Sequence, residues 1–355
     1  MNQPESTFII GTNDPILVTG ATGFIGRKVV QCLLERGFQR VRCLVRPSSE
    51  RSKIEALTDG GLPDTHIEVF EGNLLSREDC GAATDGVAVI LHLAAGTGTK
   101  SFADAFMNSV VTTRNLIEAA AQHRRLKRFV SVSSFTVYDN AQRRNGQLDE
   151  SCPVEVRPAR RGEAYCYAKV KQDQLVTEKC NEFGIPFVIV RPGYVYGPGR
   201  AAISSRVGLD TFGMFLHLGG SNTIPFTFVD NCAEAIALAG LVPGIDGEVF
   251  NVVDDDLPTS RQFLRQYKRN VRTFRSLYVP HGVSYWLCSM WERYSEWSKG
   301  QLPLDFNRKR WHAYWKRTKY SNAKLKARLG WKPRVQTTEG FRLYFESCKE
   351  TLHAG

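Results

Sequence analysis

The chain has 355 residues, enough for a large core and two lobes, and its 42% hydrophobic and 23% charged residues are typical of a soluble globular protein. The sequence contains neither an 18-residue apolar run nor a basic N-terminal segment followed by an apolar one, so we expect no membrane-spanning helix and no secretory signal. Nine scattered cysteines, odd in number and never in CxxC spacing, predict reduced thiols in the cytoplasm and no metal site.

Positive charge is concentrated in the last part of the chain. From Arg261 onward there are 21 Lys and Arg against 6 Asp and Glu, a net charge of +15, and all six tryptophans lie between Trp286 and Trp331. A basic, aromatic segment is suited to an acidic substrate, an anionic membrane surface or nucleic acid. A solvated basic surface over a tryptophan-containing core explains the composition equally. No nucleic-acid motif accompanies the charge, so we predict no nucleic-acid partner.

The first predicted elements are a strand, a glycine turn and a helix. Ile16–Val18 is a short apolar run, Gly20, Gly23 and Gly26 follow at three-residue steps, and the amphipathic stretch 24–36 predicts a helix. A strand, glycine turn and helix in this order can hold a pyrophosphate at the positive end of the helix dipole. An ordinary tight turn explains the three glycines as well, because the spacing GxxGxxG differs from the usual dinucleotide fingerprint GxGxxG.

Further apolar runs predict more strands, and amphipathic stretches predict helices between them. The additional predicted strands are 40–45, 67–70, 87–93, 129–132 and 186–190, and the long predicted helices are 101–123 and 163–183. Continuous apolar strands that alternate with helices are typical of a parallel sheet covered on both faces. Ligands of such sheets bind at the carboxyl ends of the strands.

The pattern changes near residue 194. Residues 197–223 are rich in Gly and Ser and predict a loop-heavy insertion, whereas 227–239 predicts a strand that leads into a helix. A short strand is predicted at 248–253, and the remainder is mostly helical.

Tyr165 and Lys169 are the first candidate catalytic pair. They are four residues apart in a predicted helix and therefore share one face. A neighbouring ammonium lowers the pKa of a phenol, and a phenol so tuned can exchange the proton of a secondary alcohol. Ser134, at the end of a predicted strand, is placed to hold the substrate oxygen. A tyrosine and a lysine at this spacing also occur by chance in many helices.

A second pair, Tyr167 and Lys171, has the same spacing. Two residues along a helix are a rotation of about 200°, so only one pair can face the end of the sheet. We choose Tyr165 and Lys169 because Ala168 is small and Asp173 supplies a carboxylate four residues after the lysine.

Five motifs together resemble the extended short-chain dehydrogenase/reductases, a family that includes nucleotide-sugar epimerases and dehydratases, 3β-hydroxysteroid dehydrogenases and dihydroflavonol-type reductases. The resemblance covers about residues 14–345. The motifs are Gly20-x-x-Gly23-x-x-Gly26, His92-Leu-Ala-Ala95, Ser133-Ser134-x-x-Val-Tyr138, Tyr165-x-x-x-Lys169 and Arg191-Pro-Gly-x-x-Tyr196-Gly-Pro198.

This resemblance implies an α/β fold with a doubly wound parallel Rossmann-type sheet and a smaller C-terminal substrate lobe. The implied NAD(P)-binding domain comprises 14–193 and 226–255, and the basic, Trp-rich substrate lobe comprises 194–225 and 256–355. Ser134, Tyr165 and Lys169 match the family's catalytic hydroxyl, acid/base and pKa-tuning lysine. A homodimer through helices 101–123 and 163–183 is also implied.

The resemblance, together with the glycine turn, assigns the ligand-binding residues. The predicted cofactor residues are Gly20, Thr22, Gly23, Phe24, Ile25, Gly26, Arg46, Asn73, Leu74, Leu93, Ala94, Ala95, Asn108, Tyr165, Lys169, Pro192 and Gly193. The predicted substrate residues are Ser133, Tyr196, Arg200 and Arg206.

Three departures from the family pattern narrow the prediction. Arg46 stands where an acidic residue would bind the ribose 2′-hydroxyl, and a guanidinium suits a 2′-phosphate, which favours NADP over NAD. Asn73 replaces an aspartate that faces the adenine amine, and it keeps one acceptor oxygen. Phe135 and Thr136 follow Ser134 in place of the Asp-Glu pair of the sugar dehydratases, which argues against 4,6-dehydratase activity.

The sequence therefore predicts an NAD(P)-dependent oxidoreductase or epimerase that moves a hydride at a secondary alcohol or ketone, on a nucleotide sugar or polysaccharide-pathway intermediate. The alternatives are a 3β-hydroxysteroid or other apolar alcohol dehydrogenase, and a cofactor-bound regulator without turnover. Trp286, Tyr294 and Trp297, with Arg293 and Lys299, predict either an interfacial helix in weak contact with an anionic membrane or a helix packed on the substrate pocket.

Overall fold

The computed structural model describes residues 8–58, 66–96, 101–123, 125–142, 146–200, 202–211, 213–298, 301–304 and 306–354. The strands are β1 (Ile16–Thr19), β2 (Arg40–Val45), β3 (His66–Glu71), β4 (Val89–His92), β5 (Arg128–Val132), β6 (Gln147–Leu148), β7 (Phe187–Pro192), β8 (Tyr194–Tyr196), β9 (Gly208–Thr211), β10 (Met214–His217), β11 (Phe226–Phe228), β12 (Val249–Val252), β13 (Ser276–Tyr278) and β14 (Lys319–Tyr320).

Helices connect these strands and follow them in the C-terminal part. They are α1 (Phe24–Glu35), α2 (Ser52–Thr58), α3 (Arg77–Thr84), α4 (Phe102–Phe106), α5 (Thr112–Ala120), α6 (Ala164–Phe183), α7 (Val229–Leu241), α8 (Ser260–Asn270), α9 (His281–Trp297), α10 (Arg308–Tyr314), α11 (Ala323–Leu329) and α12 (Thr337–Ala354). None of the described helices is both long and apolar enough to cross a bilayer.

Seven parallel strands form the central sheet in the order β3-β2-β1-β4-β5-β7-β12. The order reverses at β1, since the chain first builds β2 and β3 on one side and then β4, β5, β7 and β12 on the other. Such a reversal opens a crevice beyond the carboxyl ends of the central strands. The sheet confirms the predicted doubly wound Rossmann-type fold.

The alternation of side chains along β1 shows why both faces of the sheet are covered. Val18 packs into a cluster with Leu33 of α1 and Ile236 of α7. Leu17, which points to the opposite face, packs with Leu116 of α5 and Val176 of α6. Because consecutive strand residues point to opposite faces, an uninterrupted apolar run is required for a strand buried on both sides.

Smaller sheets lie outside the central sheet. Strands β9, β10 and β13 form a three-stranded sheet, and β8–β11 and β6–β14 form two parallel pairs. The segment that the sequence predicted as a loop-heavy insertion therefore contains β9 and β10. The division into a cofactor domain and a substrate lobe stays a prediction.

The long helix predicted at 101–123 is interrupted. A π-helical turn, Met107–Val111, separates α4 from α5. Within it the Ser109 hydroxyl accepts a hydrogen bond from the amide of Gly96 at 2.9 Å, which ties the turn to the segment that follows β4. The widened turn thus brings this helix to the carboxyl edge of the sheet, and π-turns are frequent at functional sites.

Candidate active site

A cavity of about 870 Å³ opens at the carboxyl edge of the sheet. The glycine turn after β1, Leu93 after β4, Ser133 after β5 and Gly193 after β7 all contribute to its wall. The segments that the sequence analysis singled out therefore meet at one place. Residues from the C-terminal part, Arg310 and Tyr314, close the other side.

The glycine turn has room for backbone only. A Cβ atom at Gly26 would lie 2.1 Å from the carbonyl oxygen of Gly20, and one at Gly23 would lie 3.0 Å from the same oxygen. Gly20 has a φ of +70° and a Cβ there would meet the amide nitrogen of Ala94 at 3.0 Å. The turn thus keeps β1 and α1 in close contact, as a pyrophosphate cradle requires.

The N-terminus of α1 faces this turn. Gly23 is its N-cap, and among the described residues no side chain caps the helix by a hydrogen bond. Its first amides and the positive end of its dipole are therefore oriented towards the cavity, where Phe24 and Ile25 form part of the wall. This arrangement fits the pyrophosphate of a dinucleotide.

Ser134, Tyr165 and Lys169 lie together in the cavity wall. The Ser134 hydroxyl neighbours the Tyr165 phenol and acts to lower its pKa. The Lys169 Nζ atom lies 6.0 Å from the centre of the Tyr165 ring and donates to the carbonyl oxygen of Val132 at 2.7 Å. The helix spacing and the end of β5 together produce this cluster, in which a substrate oxygen can reach both hydroxyl groups.

The pKa of the phenol differs from the sequence-based expectation. Burial raises the pKa of Tyr165, while the Ser134 hydroxyl and the positive charge of Arg200 act in the opposite direction. Burial also lowers the pKa of Lys169 to about 8, opposed by the Asp173 carboxylate. In the chain alone, loss of hydration therefore outweighs the effects of Ser134 and Arg200 on the phenol.

The alternative pair, Tyr167 and Lys171, points elsewhere. The Tyr167 ring packs on Phe102 and Phe106, with ring centres 5.5 Å and 6.3 Å apart. Lys171 Nζ donates to Gln174 Oε1 on the exposed side of α6. Both residues are described, and neither lines the cavity.

A buried hydrogen-bonded chain connects Lys169 to the end of β1. Lys169 Nζ donates to Gln172 Oε1 at 2.8 Å, and Gln172 Nε2 donates to Thr113 Oγ1 at 2.8 Å. His92 bridges the two threonines, with Nε2 2.8 Å from Thr113 Oγ1 and Nδ1 2.7 Å from Thr19 Oγ1. Burial lowers the pKa of His92 to about 3, so the ring is neutral. This chain fixes the ammonium group relative to the sheet.

Asp173 has a different partner from the one that the sequence suggested. Its carboxylate forms a buried ion pair with Arg191, with Nη2 and Oδ2 3.0 Å apart. Arg191 in turn lies over the Tyr138 ring, with Cζ 4.8 Å from the ring centre. Asp173 thus anchors α6 to β7, and its charge acts on Lys169 without a direct hydrogen bond.

Most predicted ligand residues line the cavity, and some do not. Those in its wall are Gly20, Gly23, Phe24, Ile25, Gly26, Leu93, Ala95, Ser133, Ser134, Tyr165, Lys169, Pro192, Gly193, Arg200 and Arg206. The predicted residues that are described but do not line it are Thr22, Arg46, Asn73, Leu74, Ala94, Asn108 and Tyr196.

Two of these residues have specific other contacts. Tyr196 is completely buried, and its ring stacks on Phe341 with centres 4.7 Å apart, so the structure places this predicted substrate residue in the core. The Asn73 Oδ1 atom accepts a hydrogen bond from the amide of Leu75 at 3.0 Å. In this arrangement the acceptor predicted to face the adenine amine stabilises its own turn.

Arginines dominate the cavity wall built from the C-terminal part. Arg200, Arg206 and Arg310 all line it. The Arg206 guanidinium lies over the ring of Tyr314, with Cζ 5.0 Å from the ring centre, and donates to the carbonyl oxygen of Ala313 at 2.7 Å. Glu163 accepts a hydrogen bond from the Tyr314 hydroxyl and lies between Arg161 and Arg310.

Sequence reasoning missed four of the residues in this arrangement. Gln172 is three residues after Lys169 and thus on the same helix face, so the spacing contained a usable signal. Glu163 precedes Tyr165 by two residues at the start of α6. Arg310 and Tyr314 belong to α10, which is distant in sequence and carries no recognised motif.

Comparison with known proteins identifies the family of this chain. Residues 16–252 match the family model "NAD dependent epimerase/dehydratase family". One relative is the 4-hydroxy-2-methyl-3-oxo-4-farnesyl-3,4-dihydroquinoline-1-oxide ketoreductase of Stigmatella aurantiaca. The two sequences are 31% identical over 250 residues, and the alignment covers 70% of each chain. Another relative is GDP-mannose 3,5-epimerase of Arabidopsis thaliana, which is 25% identical over 361 aligned positions. That alignment covers 96% of this chain and 83% of the relative.

A solved structure shows the same fold. UDP-glucuronic acid 4-epimerase of Bacillus cereus, in complex with UDP-glucuronic acid and NAD, matches with a TM-score of 0.69. The match covers 95% of this chain and 99% of that one, at 22% sequence identity. The chain therefore belongs to the NAD-dependent epimerase/dehydratase family of extended short-chain dehydrogenase/reductases.

Proposed function

We propose that this protein is an NAD(P)-dependent enzyme that moves a hydride at a secondary alcohol or ketone of a nucleotide sugar or a related diphosphate-linked intermediate. The observation that carries the substrate class is the position of Arg200, Arg206 and Arg310 in the same cavity as Ser134 and Tyr165. Guanidinium groups in a partly enclosed cavity bind diphosphates by charge-assisted hydrogen bonds.

The catalytic residues divide the chemistry between them. A bound nicotinamide dinucleotide supplies the hydride acceptor or donor. Tyr165 takes the proton from the substrate hydroxyl, or returns it to the carbonyl oxygen, through its phenolic oxygen. Ser134, which lines the cavity together with Tyr165, holds that same substrate oxygen through its hydroxyl. Lys169, fixed by Val132 and Gln172, supplies positive charge beneath the phenol.

Removing the positive charge at Arg206 tests the substrate class. In Arg206→Met we expect the KM for the preferred UDP-, GDP- or CDP-sugar to rise about tenfold with little change in kcat, because the lost contact holds the diphosphate rather than the reacting atoms. Arg206→Lys is the matched control and should retain part of the affinity. Steady-state kinetics on a panel of nucleotide sugars and sterols provides the measurement. Turnover of sterols alone, with a KM that does not respond to Arg206→Met, would contradict the proposal.

A second candidate is the oxidation or reduction of an apolar alcohol or ketone. It is supported by the apolar side chains in the cavity wall near Tyr165, among them Phe102, Phe135 and Val132. The ketoreductase relative, whose name includes a farnesyl group, favours it as well. The panel of nucleotide sugars and sterols distinguishes an apolar substrate from a nucleotide sugar.

We infer further that the enzyme is not a sugar 4,6-dehydratase. Phe135 and Thr136 line the cavity beside Ser134, and neither carries a carboxylate that can act as the acid or base of a dehydration. A product lighter by one water in the panel would overturn this inference.

For the cofactor, we propose a preference for NADP over NAD. Arg46 is exposed directly after β2, whose carboxyl end adjoins that of β1 and the glycine turn. We expect Arg46→Ala to lower the affinity for NADP about tenfold and to leave that for NAD unchanged, because only the contact with the 2′-phosphate is lost. Calorimetric titration with both dinucleotides measures this, and the mass of the nucleotide released on denaturation identifies the bound species. Release of NAD alone would overturn the preference.

We propose that the protein works in the cytoplasm as a homodimer. All nine cysteines are buried and free of disulfides, which supports a reducing compartment. Phe102 and Met107 are exposed on the helix segment 102–120, and Phe183 is exposed at the end of α6, which supports a dimer through these helices. A monomer mass by light scattering would contradict the dimer.

A further inference from the structure

The outer side of α9 is a continuous apolar surface. Exposed Tyr285 packs on Trp311, with ring centres 5.0 Å apart, and the other exposed apolar side chains of α9 are Val283, Trp286, Leu287, Met290, Tyr294 and Trp297. They are three and four residues apart and therefore form one row along the helix. Trp286 is 59% exposed and Trp297 is 76% exposed. An exposed apolar row of this length marks an interaction site, and we refer to these six residues as the aromatic row.

The opposite side of α9 holds the helix to the protein. Cys288 packs in a cluster with Trp311 and Trp315, and the Ser295 hydroxyl donates to the carbonyl oxygen of Leu302 at 2.8 Å. No residue of α9, which is described over its whole length, lines the cavity. The helix thus packs on α10, which contributes Arg310 and Tyr314 to the cavity wall, so packing beside the substrate pocket and contact with a membrane are compatible. Lys299, which the sequence analysis joined to this helix, is outside the described residues.

A positively charged segment precedes the aromatic row in the chain. The segment 261–280, which leads directly into α9, contains six Lys and Arg and no Asp or Glu. Five of these six residues are exposed, namely Arg261, Arg265, Arg269, Arg272 and Arg275. Leu277 and Tyr278, at the end of β13, continue the apolar surface towards α9 and are exposed. The Arg261 guanidinium lies 5.3 Å from the centre of the Tyr278 ring.

We propose that α9 lies flat on an anionic lipid bilayer, with the aromatic row inserted between the headgroups and segment 261–280 in contact with the lipid phosphates. An amphipathic helix of this kind binds through buried apolar area together with attraction to anionic lipid. Tryptophan and tyrosine are the side chains that favour the interface between headgroups and acyl chains. The contact is independent of the proposed enzymatic function, because it involves no residue of the cavity.

The charges favour a bilayer over a second copy of the chain as the partner of this surface. A symmetric contact between two copies pairs the same patch of each. Each copy would add a segment with six positive charges and no acidic residue, so the pair offers no charge complement to either segment and the like charges repel. An anionic bilayer instead complements both the charge and the apolar row.

Vesicle flotation with the full chain tests the proposal. At low salt the protein should float with vesicles of phosphatidylcholine mixed with phosphatidylglycerol, and the bound fraction should fall as NaCl is raised. The double variant Trp286→Ser/Trp297→Ser should lose about tenfold in vesicle affinity or more, because two inserted rings are removed. Leu352→Ser, at an exposed apolar position of α12, is the matched control and should bind as the unchanged protein does.

A charge variant tests the contribution of segment 261–280 to vesicle binding. Arg265→Glu/Arg269→Glu/Arg272→Glu should lose vesicle binding while its thermal unfolding stays close to that of the unchanged protein, because these side chains are exposed. Absence of flotation at low salt overturns the proposal, and so does equal binding to phosphatidylcholine alone. Conversion of a dimer to a monomer by the double tryptophan variant, without vesicle binding, would instead assign the aromatic row to a second copy.

Discussion

Substitution of Tyr165 by phenylalanine is expected to reduce kcat by at least about 10²-fold while dinucleotide binding is retained. The variant removes only the phenolic oxygen that exchanges the substrate proton. The ring remains, and Lys169 keeps its hydrogen bonds to Val132 and Gln172. Turnover of the preferred substrate from the panel measures the loss of kcat. Calorimetric titration measures the retained affinity for the dinucleotide.

Tyr167→Phe is the matched control for this experiment. Its ring packs on Phe102 and Phe106, outside the cavity, so kcat and dinucleotide affinity should both stay close to those of the unchanged enzyme. Loss of turnover in Tyr167→Phe with an active Tyr165→Phe would show that the assignment of the pair is wrong. If the unchanged protein binds dinucleotide but turns over no member of the panel, the alternative of a regulator without catalysis applies.

The parts of the fold that the sequence predicted well are those in which local pattern and burial agree. The central strands are buried on both faces, which requires apolar runs, and β2 was predicted at its observed bounds, Arg40–Val45. The glycine turn was predictable for a similar reason. A Cβ at Gly26 has no space, so the sequence must carry glycine there.

Contacts between distant segments explain what the sequence did not predict. Tyr196 follows the Arg-Pro-Gly motif, but Phe341 of α12 covers it, and nothing near Tyr196 in the sequence indicates that contact. The same holds for Tyr314, which reaches Glu163 from α10. Gln172 is different, since it follows Lys169 by three residues on the same helix face, and this spacing indicates the contact that the structure shows.

The exposed side of α9 could not be predicted from the sequence. Its composition predicts a helix with apolar residues on more than one side, and such a helix is either buried or attached to another surface. Only the structure shows which side packs on Trp311 and Trp315 and which side faces solvent.

Substitution of Gly26 by alanine is expected to lower the free energy of unfolding by about 2–3 kcal/mol and to abolish stabilisation by dinucleotide. The added Cβ would lie 2.1 Å from the carbonyl oxygen of Gly20 and 2.9 Å from Ala21 Cα, so α1 must move away from the turn. That movement displaces the first amides of α1 from the position in which they face a pyrophosphate. The Tm measured with and without added dinucleotide should show a lower value that no longer rises.

Two further glycine variants compare a smaller steric clash, and no clash, with the clash in Gly26→Ala. Gly23→Ala places its Cβ 3.0 Å from the Gly20 carbonyl oxygen, so it should weaken dinucleotide binding with a smaller loss of stability than Gly26→Ala, and it remains informative if Gly26→Ala does not fold. Gly81→Ala, within α3, meets nothing within 4 Å and should raise the stability by about 0.5 kcal/mol, because alanine favours the helix more than glycine does. Its response to dinucleotide should equal that of the unchanged protein. Full dinucleotide affinity in both Gly23→Ala and Gly26→Ala would show that the pyrophosphate does not bind at this turn, and the assignment of the cavity as a dinucleotide site would fail with it.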